Sequence, residues 1–189
     1  MPENKDVTYS AAAFLRDYMG KLGKNLASSH AHELTAAYMG FNSKKALIDS
    51  DQYDLSDPEL VLSVSPDISK LEQQVRKLRP DLLQKLPVKG LAQVIKSGLT
   101  PPCECCGYHL SVVVPITDPS HRHVDGWVCM HCVDRESSYK TCRYCGDDII
   151  YRAHNVNSDD ECPEHAGESI LNPEEEQGYW DLIENWQNR

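Results

Sequence analysis

The stretch of residues 101–165 reads PPCECCGYHLSVVVPITDPSHRHVDGWVCMHCVDRESSYKTCRYCGDDIIYRAHNVNSDDECPEH and contains all eight cysteines of the chain. It contains four pairs of metal-ligand residues with two residues inside each pair: Cys103 and Cys106, Cys129 and Cys132, Cys142 and Cys145, and Cys162 and His165. Each pair supplies two ligands from a tight turn, and a tetrahedral zinc ion needs four. The stretch therefore predicts two structural zinc ions and a fold that depends on them.

A disulfide framework is the main alternative, and it requires an oxidising compartment. Met1 is followed by a polar, mixed-charge segment without the apolar centre of a signal peptide, so we expect a cytoplasmic protein with reduced thiols. No run reaches the roughly 18 to 20 apolar residues that a membrane span needs, which predicts no membrane association. Zinc sites closed by four protein ligands also argue against catalytic zinc, because catalytic zinc keeps one position open.

The segments between the pairs favour sequential pairing. The first pair is followed by the apolar, strand-like run 110–116, a polar turn and a return strand that ends at Val128. The second unit repeats this order with a strand at 149–151 and a turn rich in Asn and Asp. This pattern resembles tandem zinc ribbons, in which the first two pairs hold one ion and the last two pairs hold the other.

Two other pairings stay open at the level of sequence. Cross-bracing of the first pair with the third resembles the RING and related ligase families in ligand number, and would imply a ligase-type enzyme. Those families normally place a Cys-x-His unit at the third and fourth ligands, which the order Cys129-Met-His131-Cys132 fits poorly. In the other pairing, the nine-residue gap between Cys132 and Cys142 closes around a single ion.

Cys105 lies inside the first pair and is the one cysteine outside the four pairs. Gly107 follows the pair directly and is free to take the left-handed conformation that ends such a turn, so Cys103 is the better ligand. His131 and His154 lie near the pairs in sequence, and we expect them to be solvated or packed rather than metal-bound.

The charge distribution favours a protein partner over nucleic acid. The chain of 189 residues has a formal net charge of −10, and residues 101–165 carry five basic and eleven acidic side chains. Seven thiolates and two dications would add about −3 to the formal charge of residues 101–165. Nucleic-acid-binding zinc modules normally show an excess of Lys and Arg, so nucleic acid is possible but disfavoured.

Helices are predicted over 9–19 and from Ser28 or Ser29 to Gly40, followed by a short helix around 46–48. The string SHAHELTAAYMGFNSKKAL at 29–47 resembles a small helical module of uncharacterised bacterial proteins, often borne by plasmids or integrative elements and in some cases labelled glyoxalase-related. The resemblance covers about forty residues and implies a mobile-element setting. No glyoxalase metal site or acid–base pair accompanies it.

The same string is also similar to a helix-turn-helix, which gives the alternative function of a nucleic-acid-binding regulator. Its second helix would begin at Lys44 and Lys45 and continue to Asp49 and Asp51, without Arg, Asn or Gln for base edges. An ordinary helical hairpin is therefore the preferred interpretation.

Residues 57–100 are predicted to form a second helical unit. Leu60–Val64 is a candidate extended segment, and Ser65-Pro66-Asp67 has the composition of a helix start with serine as the cap. Helices over 81–86 and 88–99 follow, and the basic side chains of this region form a solvated face or a contact for an acidic partner.

The carboxyl-terminal segment predicts an acidic helix that begins after Asn172-Pro173. Apolar side chains at helical spacing give it one aromatic face, and the candidate partner-binding residues are Tyr179, Trp180, Ile183 and Trp186. This face either packs on the chain's own domains or enters a partner groove.

Together these patterns predict an α+β protein. Its segments are a helical amino-terminal module (1–56), a second helical unit (57–100), tandem zinc-binding ribbons (101–167) and an acidic carboxyl-terminal helix (168–189). No nucleophile–base arrangement or phosphate-binding loop stands out. We therefore expect a non-enzymatic, zinc-stabilised interaction protein, an adaptor or regulator, with the nucleic-acid regulator and the RING-like ligase as alternatives.

Overall fold

The computed structural model describes residues 6–120, 123–167, 177, 178, 181, 183 and 186, with the side chain of Leu60 excepted. Its helices are α1 (Val7–Lys21), α2 (Ser28–Tyr38), α3 (Lys44–Ile48), α4 (Pro58–Leu62), α5 (Ile68–Leu78), α6 (Val88–Leu99) and α7 (Met130–Arg135). Its strands are β1 (Val114–Thr117), β2 (Val124–Val128), β3 (Tyr139–Thr141) and β4 (Ile150–Arg152). Short 3₁₀ helices occupy Pro80–Gln84 and Ala153–Asn155. The predicted α+β class is confirmed.

The chain divides into two compact units. The first comprises Met1–Val114 and Trp127–Asp134, and the second comprises Pro115–Gly126 and Arg135–Arg189. The predicted segments 1–56 and 57–100 lie together in the first unit, and the predicted ribbon segment 101–167 contributes to both.

Four helices, α1, α2, α5 and α6, build the core of the first unit. Leu15 and Met19 of α1 are fully buried in one apolar cluster with Leu91 and Ile95 of α6. Burial of each such side chain contributes about 1.5 to 3 kcal/mol, so this interface is a main source of the unit's stability. Gly98 permits the close approach of α6 to α1, because a Cβ built there would lie 2.8 Å from the Cα of Ala11.

Two predicted helix caps are wrong. The cap of α5 is Asp67 rather than Ser65, because the Asp67 carboxylate accepts a hydrogen bond of 2.8 Å from the N–H of Lys70. The cap of α2 is Ala27, without a side-chain hydrogen bond, so neither Ser28 nor Ser29 has that role. Tertiary packing rather than a serine cap therefore determines where α2 begins.

The expected extended segment at residues 60–64 is also wrong, because α4 spans Pro58–Leu62. Asp57 caps this helix by accepting a hydrogen bond of 2.9 Å from the N–H of Glu59, and Pro58 occupies the first turn. An Asp-Pro-Glu start of this kind outweighs the strand preference of the valines that follow. Val61 is then buried in the helical core.

The strands form one four-stranded sheet with the order β2-β1-β4-β3. β1 pairs with β4 in parallel, with Ile116 opposite Ile150, and β3 pairs with β4 antiparallel. β1 begins later than the predicted run 110–116. The residues of that run before Val114 lie outside the strand, and Leu110 and Val112 are exposed.

None of the helices in the described part of the chain combines the length and the apolar composition that a bilayer span requires.

Candidate metal centres

The first candidate centre lies in the first unit and consists of four cysteines: Cys103, Cys106, Cys129 and Cys132. Their four sulfur atoms lie within 4.8 Å of one another. A zinc ion with Zn–S bonds of about 2.3 Å holds tetrahedral sulfurs about 3.8 Å apart, so a modest contraction would enclose one ion. Cys106 is more exposed than the other three, which are buried.

Backbone turns bring these cysteines together. The first pair ends in Gly107 at φ 73°, whose N–H donates to the carbonyl of Cys103 at 2.8 Å. The left-handed conformation there is the one predicted from the Cys-x2-Cys-Gly pattern. In the second pair the N–H of Cys132 donates to the carbonyl of Cys129 at 2.9 Å, where α7 begins. The N–H of Cys129 also donates to the sulfur of Cys103 at 3.3 Å and so links the two pairs.

The thiols of the first centre differ in their readiness to ionise. Burial opposes the thiolate of Cys103, but N–H groups of Cys106, Cys129 and Cys105 donate to its sulfur, and its pKa falls to about 6. Burial and hydrogen bonds among the neighbouring thiols raise the pKa of Cys132 well above its usual range. Without a metal, the surroundings of these cysteines thus favour one thiolate and oppose the formation of further thiolates. A bound dication removes that conflict, because it stabilises all four thiolates.

The second candidate centre lies in the second unit and consists of three cysteines and one histidine: Cys142, Cys145, Cys162 and His165. The sulfurs of Cys145 and Cys162 are 3.8 Å apart, which is the edge of about 3.8 Å expected for a tetrahedral zinc thiolate. The Nδ1 atom of His165 lies 3.2 Å from the sulfur of Cys162, 3.3 Å from Cys145 and 3.7 Å from Cys142. These residues fit a single tetrahedral ion.

Tyr151 supports the second centre from the sheet. It is fully buried on β4 in a small core with Cys142 and Cys162, and its hydroxyl donates to the sulfur of Cys145 at 3.2 Å. Burial raises the pKa of the Cys145 thiol to about 11, and the Tyr151 hydrogen bond acts in the opposite direction. Tyr151 therefore orients and partly stabilises this ligand in its anionic form.

A hydrogen-bonded turn positions the last pair of the second centre. Glu161, only 5% exposed, accepts hydrogen bonds from Asn157 Nδ2 at 3.0 Å and from the N–H of Gly167 at 3.1 Å, and it pairs with Arg143. The hydrogen bonds from Asn157 and Gly167 hold the pKa of Glu161 below its usual range. The Glu161 carboxylate thus links the turn before Cys162 to the Cys142–Cys145 turn, which contains Arg143.

The grouping of the eight predicted ligands is the sequential one. The structure brings the first pair together with the second and the third together with the fourth. Among the described residues, neither the cross-braced arrangement nor a single centre across the gap from Cys132 to Cys142 is present. Cys105, His131 and His154 belong to neither group, and all three are exposed.

Sequence reasoning missed the side chains that support the ligands. Tyr151 was predicted only as part of a strand, and Glu161 only as part of a polar turn. A tyrosine opposite a Cys-x2-Cys knuckle on the returning strand is a signal that could have indicated the first of these. The contacts of Glu161 depend on the folded turn.

The segment similar to a helix-turn-helix has α2 followed by the five-residue helix α3. Lys44, at the start of α3, donates to the hydroxyl of Tyr9 at 3.0 Å and lies 4.3 Å from the centre of its ring. Lys45 pairs with Asp49, the residue that caps the end of α3. Both lysines that a helix-turn-helix would present to DNA therefore form contacts within the chain.

The candidate partner-binding residues lie at the carboxyl terminus. Tyr179 and Trp180 fall outside the described residues. Ile183 is half-buried, and Trp186 is 86% exposed. The start of the predicted helix at Asn172 also lies outside the described residues, and residues 177, 178, 181, 183 and 186 are helical.

Comparisons of the chain with protein-family models, with curated proteins and with solved structures each found no match. The resemblances drawn from the sequence therefore stay predictions, and function is argued from the chemistry of the sites.

Proposed function

We propose that the protein is a non-enzymatic adaptor or regulator whose two units are each stabilised by one zinc ion. The observation that supports this proposal is the presence of two groups of four ligand atoms, each within 4.8 Å. Thiolate and imidazole ligands in tetrahedral geometry are typical of zinc. Zinc would supply folding energy here, because a dication offsets the repulsion between closely spaced thiolates.

A structural role for zinc follows from the number of ligands. Catalytic zinc usually has three protein ligands and one position for water or substrate, whereas each group here has four. The sulfurs are also mostly buried, which leaves little access for a substrate. The seven cysteine ligands stay reduced in a reducing environment, so we place the protein in the cytoplasm. This placement is in keeping with the bacterial mobile-element setting that the sequence resemblance implies.

The partner is proposed to be a protein, and its contact surface to be the carboxyl-terminal aromatic face. A tryptophan that is 86% exposed, as Trp186 is, offers a large apolar area of the kind that anchors protein interfaces. The proposed partner-binding residues are Tyr179, Trp180, Ile183 and Trp186. Their acidic surroundings favour a partner with a basic rim around an apolar groove.

Affinity capture with quantitative mass spectrometry tests this proposal when two variants are compared with the natural chain. Trp186→Ala should lose the partner, and Gln177→Ala, a change at an exposed residue nine positions earlier in the chain, should retain it. The purified partner should then bind the natural chain and not Trp186→Ala in calorimetry. Because Trp186 is exposed, its replacement should change the free energy of unfolding by no more than about 0.5 kcal/mol.

A clear fall in melting temperature for Trp186→Ala would instead show that this tryptophan packs on its own chain. Capture that is identical for the natural chain and both variants would contradict the proposed surface.

A further inference from the structure

The first unit contains a cleft that neither metal centre uses. It lies beside α2, α5 and α6 and has a volume of about 340 Å³. Val64, Pro66 and Ile68 supply an apolar floor, and Lys89 and Lys96 of α6 line the same cleft. A site of this size, mainly apolar with a few polar groups, has the composition of a binding pocket.

Tyr38 brings a hydroxyl group to this cleft. Only 3% of Tyr38 is exposed, but its hydroxyl oxygen stays within reach of solvent, because the one fully buried side-chain polar atom without a partner in the described part of the chain is His30 Nδ1. Its backbone is fixed by a hydrogen bond of 2.8 Å from the N–H of Asp67 to its carbonyl. Burial raises the pKa of Tyr38, so the hydroxyl stays protonated and remains a donor. The hydroxyl can therefore donate to an acceptor bound in the cleft.

Charge identifies the acceptor. Lys89 and Lys96 are seven residues apart and thus lie on one face of α6. Within the described part of the chain neither lysine forms an ion pair, and the described residues that line the cleft include no acidic side chain. This small basic site belongs to a chain with a net charge of −10.

We propose that the cleft binds an acidic segment of a partner protein. A carboxylate of that segment pairs with Lys89 and Lys96 and accepts from Tyr38, and an adjacent apolar side chain rests on the floor that includes Ile68. Nucleic acid fits less well, because its phosphates would extend beyond two lysines onto an acidic molecule. This site and the carboxyl-terminal aromatic face share no residues, so either proposal can fail without the other.

Nuclear magnetic resonance of the full-length, zinc-loaded chain provides the test. The probe is the blocked peptide Glu-Asp-Leu-Phe-Glu-Asp, and the matched control is Gln-Asn-Leu-Phe-Gln-Asn. The acidic probe should shift the amide signals of Ile68, Gln93 and Lys96 in a saturable way, and the neutral control should bind at least fivefold more weakly. No saturable shift up to millimolar peptide, or equal binding of both peptides, would overturn the proposal.

Charge-matched variants locate the interaction. Lys89→Glu with Lys96→Glu should weaken binding of the acidic probe at least tenfold. Lys77→Glu with Lys85→Glu, the same change of charge at exposed positions of the same unit, should leave it within twofold. Tyr38→Phe should weaken binding severalfold, and the lysine pair decides the outcome if that variant does not fold. Equal losses for the two lysine pairs would contradict the site.

Two further titrations exclude other occupants. A short single-stranded oligonucleotide of equal charge should shift the cleft signals less than the acidic peptide does. Dilution of the chain alone should leave those signals unchanged. Stronger binding of the oligonucleotide, or shifts that depend on the concentration of the chain itself, would replace the acidic partner with nucleic acid or with a second copy.

Discussion

His165 presents its Nδ1 atom to the second centre, at 3.2 to 3.7 Å from the three sulfurs. Ligation by this atom leaves Nε2 to carry the ring proton. The sequence identified the residue but not the nitrogen, because the choice depends on the short turn from Cys162 to His165. That turn is closed by a hydrogen bond of 3.0 Å from the N–H of His165 to the Cys162 carbonyl.

Replacement of a single ligand should remove one ion and leave the other. We expect Cys142→Ala or His165→Ala to lower the zinc content from about two ions per chain to about one, since the two groups share no ligand. Native mass spectrometry measures this directly. Cys105→Ser is the matched control and should retain both ions, because Cys105 belongs to neither group. Loss of both ions in His165→Ala, or of one ion in Cys105→Ser, would contradict the assignment.

Removal of the Tyr151 hydroxyl should weaken metal binding at the second centre alone. Tyr151→Phe deletes the donor 3.2 Å from the sulfur of Cys145, and the loss of such an outer hydrogen bond typically lowers metal affinity by about 10- to 100-fold. Competition with a chromophoric chelator measures the affinity of each site. Tyr108→Phe, at a tyrosine that is 69% exposed, should change neither affinity. Equal affinities for Tyr151→Phe and the natural chain would show that the hydrogen bond is without effect.

Ligand residues and their supporting residues differ in how far sequence predicts them. The ligands follow from spacing, because a Cys-x2-Cys turn is a local structure. Tyr151 and Glu161 act through partners 6 and 18 residues away along the chain, Cys145 and Arg143 respectively. Such contacts depend on how β4 and the turn before Cys162 return to the knuckle, which local spacing does not specify.

At the scale of elements, the packing of α6 on α1 gives a prediction about stability. Gly98→Ala would place a Cβ 2.8 Å from the Ala11 Cα and 3.0 Å from the Phe14 Cβ, and relief of this overlap requires the two helices to move apart. We expect a loss of about 1 to 3 kcal/mol in the free energy of unfolding. Helical circular dichroism during urea denaturation provides the measurement.

Gly20→Ala is the matched control for that change. Gly20 also lies in a helix, α1, but a Cβ there meets nothing within 4 Å. Because alanine favours helix more than glycine does, this variant should be neutral or more stable by up to about 1 kcal/mol. A Gly98→Ala variant as stable as Gly20→Ala would contradict the close packing of α1 and α6.

Helices were predicted well where the apolar periodicity and a helix-breaking residue indicate the same boundary. They were predicted poorly where two residues could each cap the helix. The bounds of α6 between Pro87 and Thr100 follow from its apolar stripe and the preceding proline. In contrast, both Ser65 and Asp67 are good caps, and only the folded chain selects Asp67. At α4, the Asp-Pro start overrides the strand preference of the valines.

At the scale of the whole molecule, the charge of −10 predicts weak binding to nucleic acid. At physiological salt, non-specific DNA affinity should be weaker than the roughly 10⁻⁴ to 10⁻⁶ M that is typical of basic DNA-binding proteins. Fluorescence anisotropy with a duplex oligonucleotide at several salt concentrations measures it. Tight, salt-sensitive binding would contradict this expectation. Comparison of a Lys44 and Lys45 double variant with a Lys70, Arg76 and Lys77 triple variant would then show which helix is responsible.

The course of the chain between the two compact units was beyond sequence reasoning. The residues between the first and second ligand pairs include Pro115–Gly126, which belong to the second unit, while the pairs themselves belong to the first. If each ribbon formed a unit of its own, the hairpin between the first and second ligand pairs would lie in the same unit as those pairs. The parallel pairing of β1 with β4, with Ile116 opposite Ile150, is a long-range contact that spacing alone does not indicate.

The metal content of the natural chain tests the central claim most directly. Protein purified without chelators should contain about two zinc ions per chain by inductively coupled plasma mass spectrometry, one for each four-ligand group. Removal of the metal should also unfold the segments that carry the ligands, because thiolates this close repel one another without a dication. One zinc ion per chain, none, or another metal in its place would contradict the account.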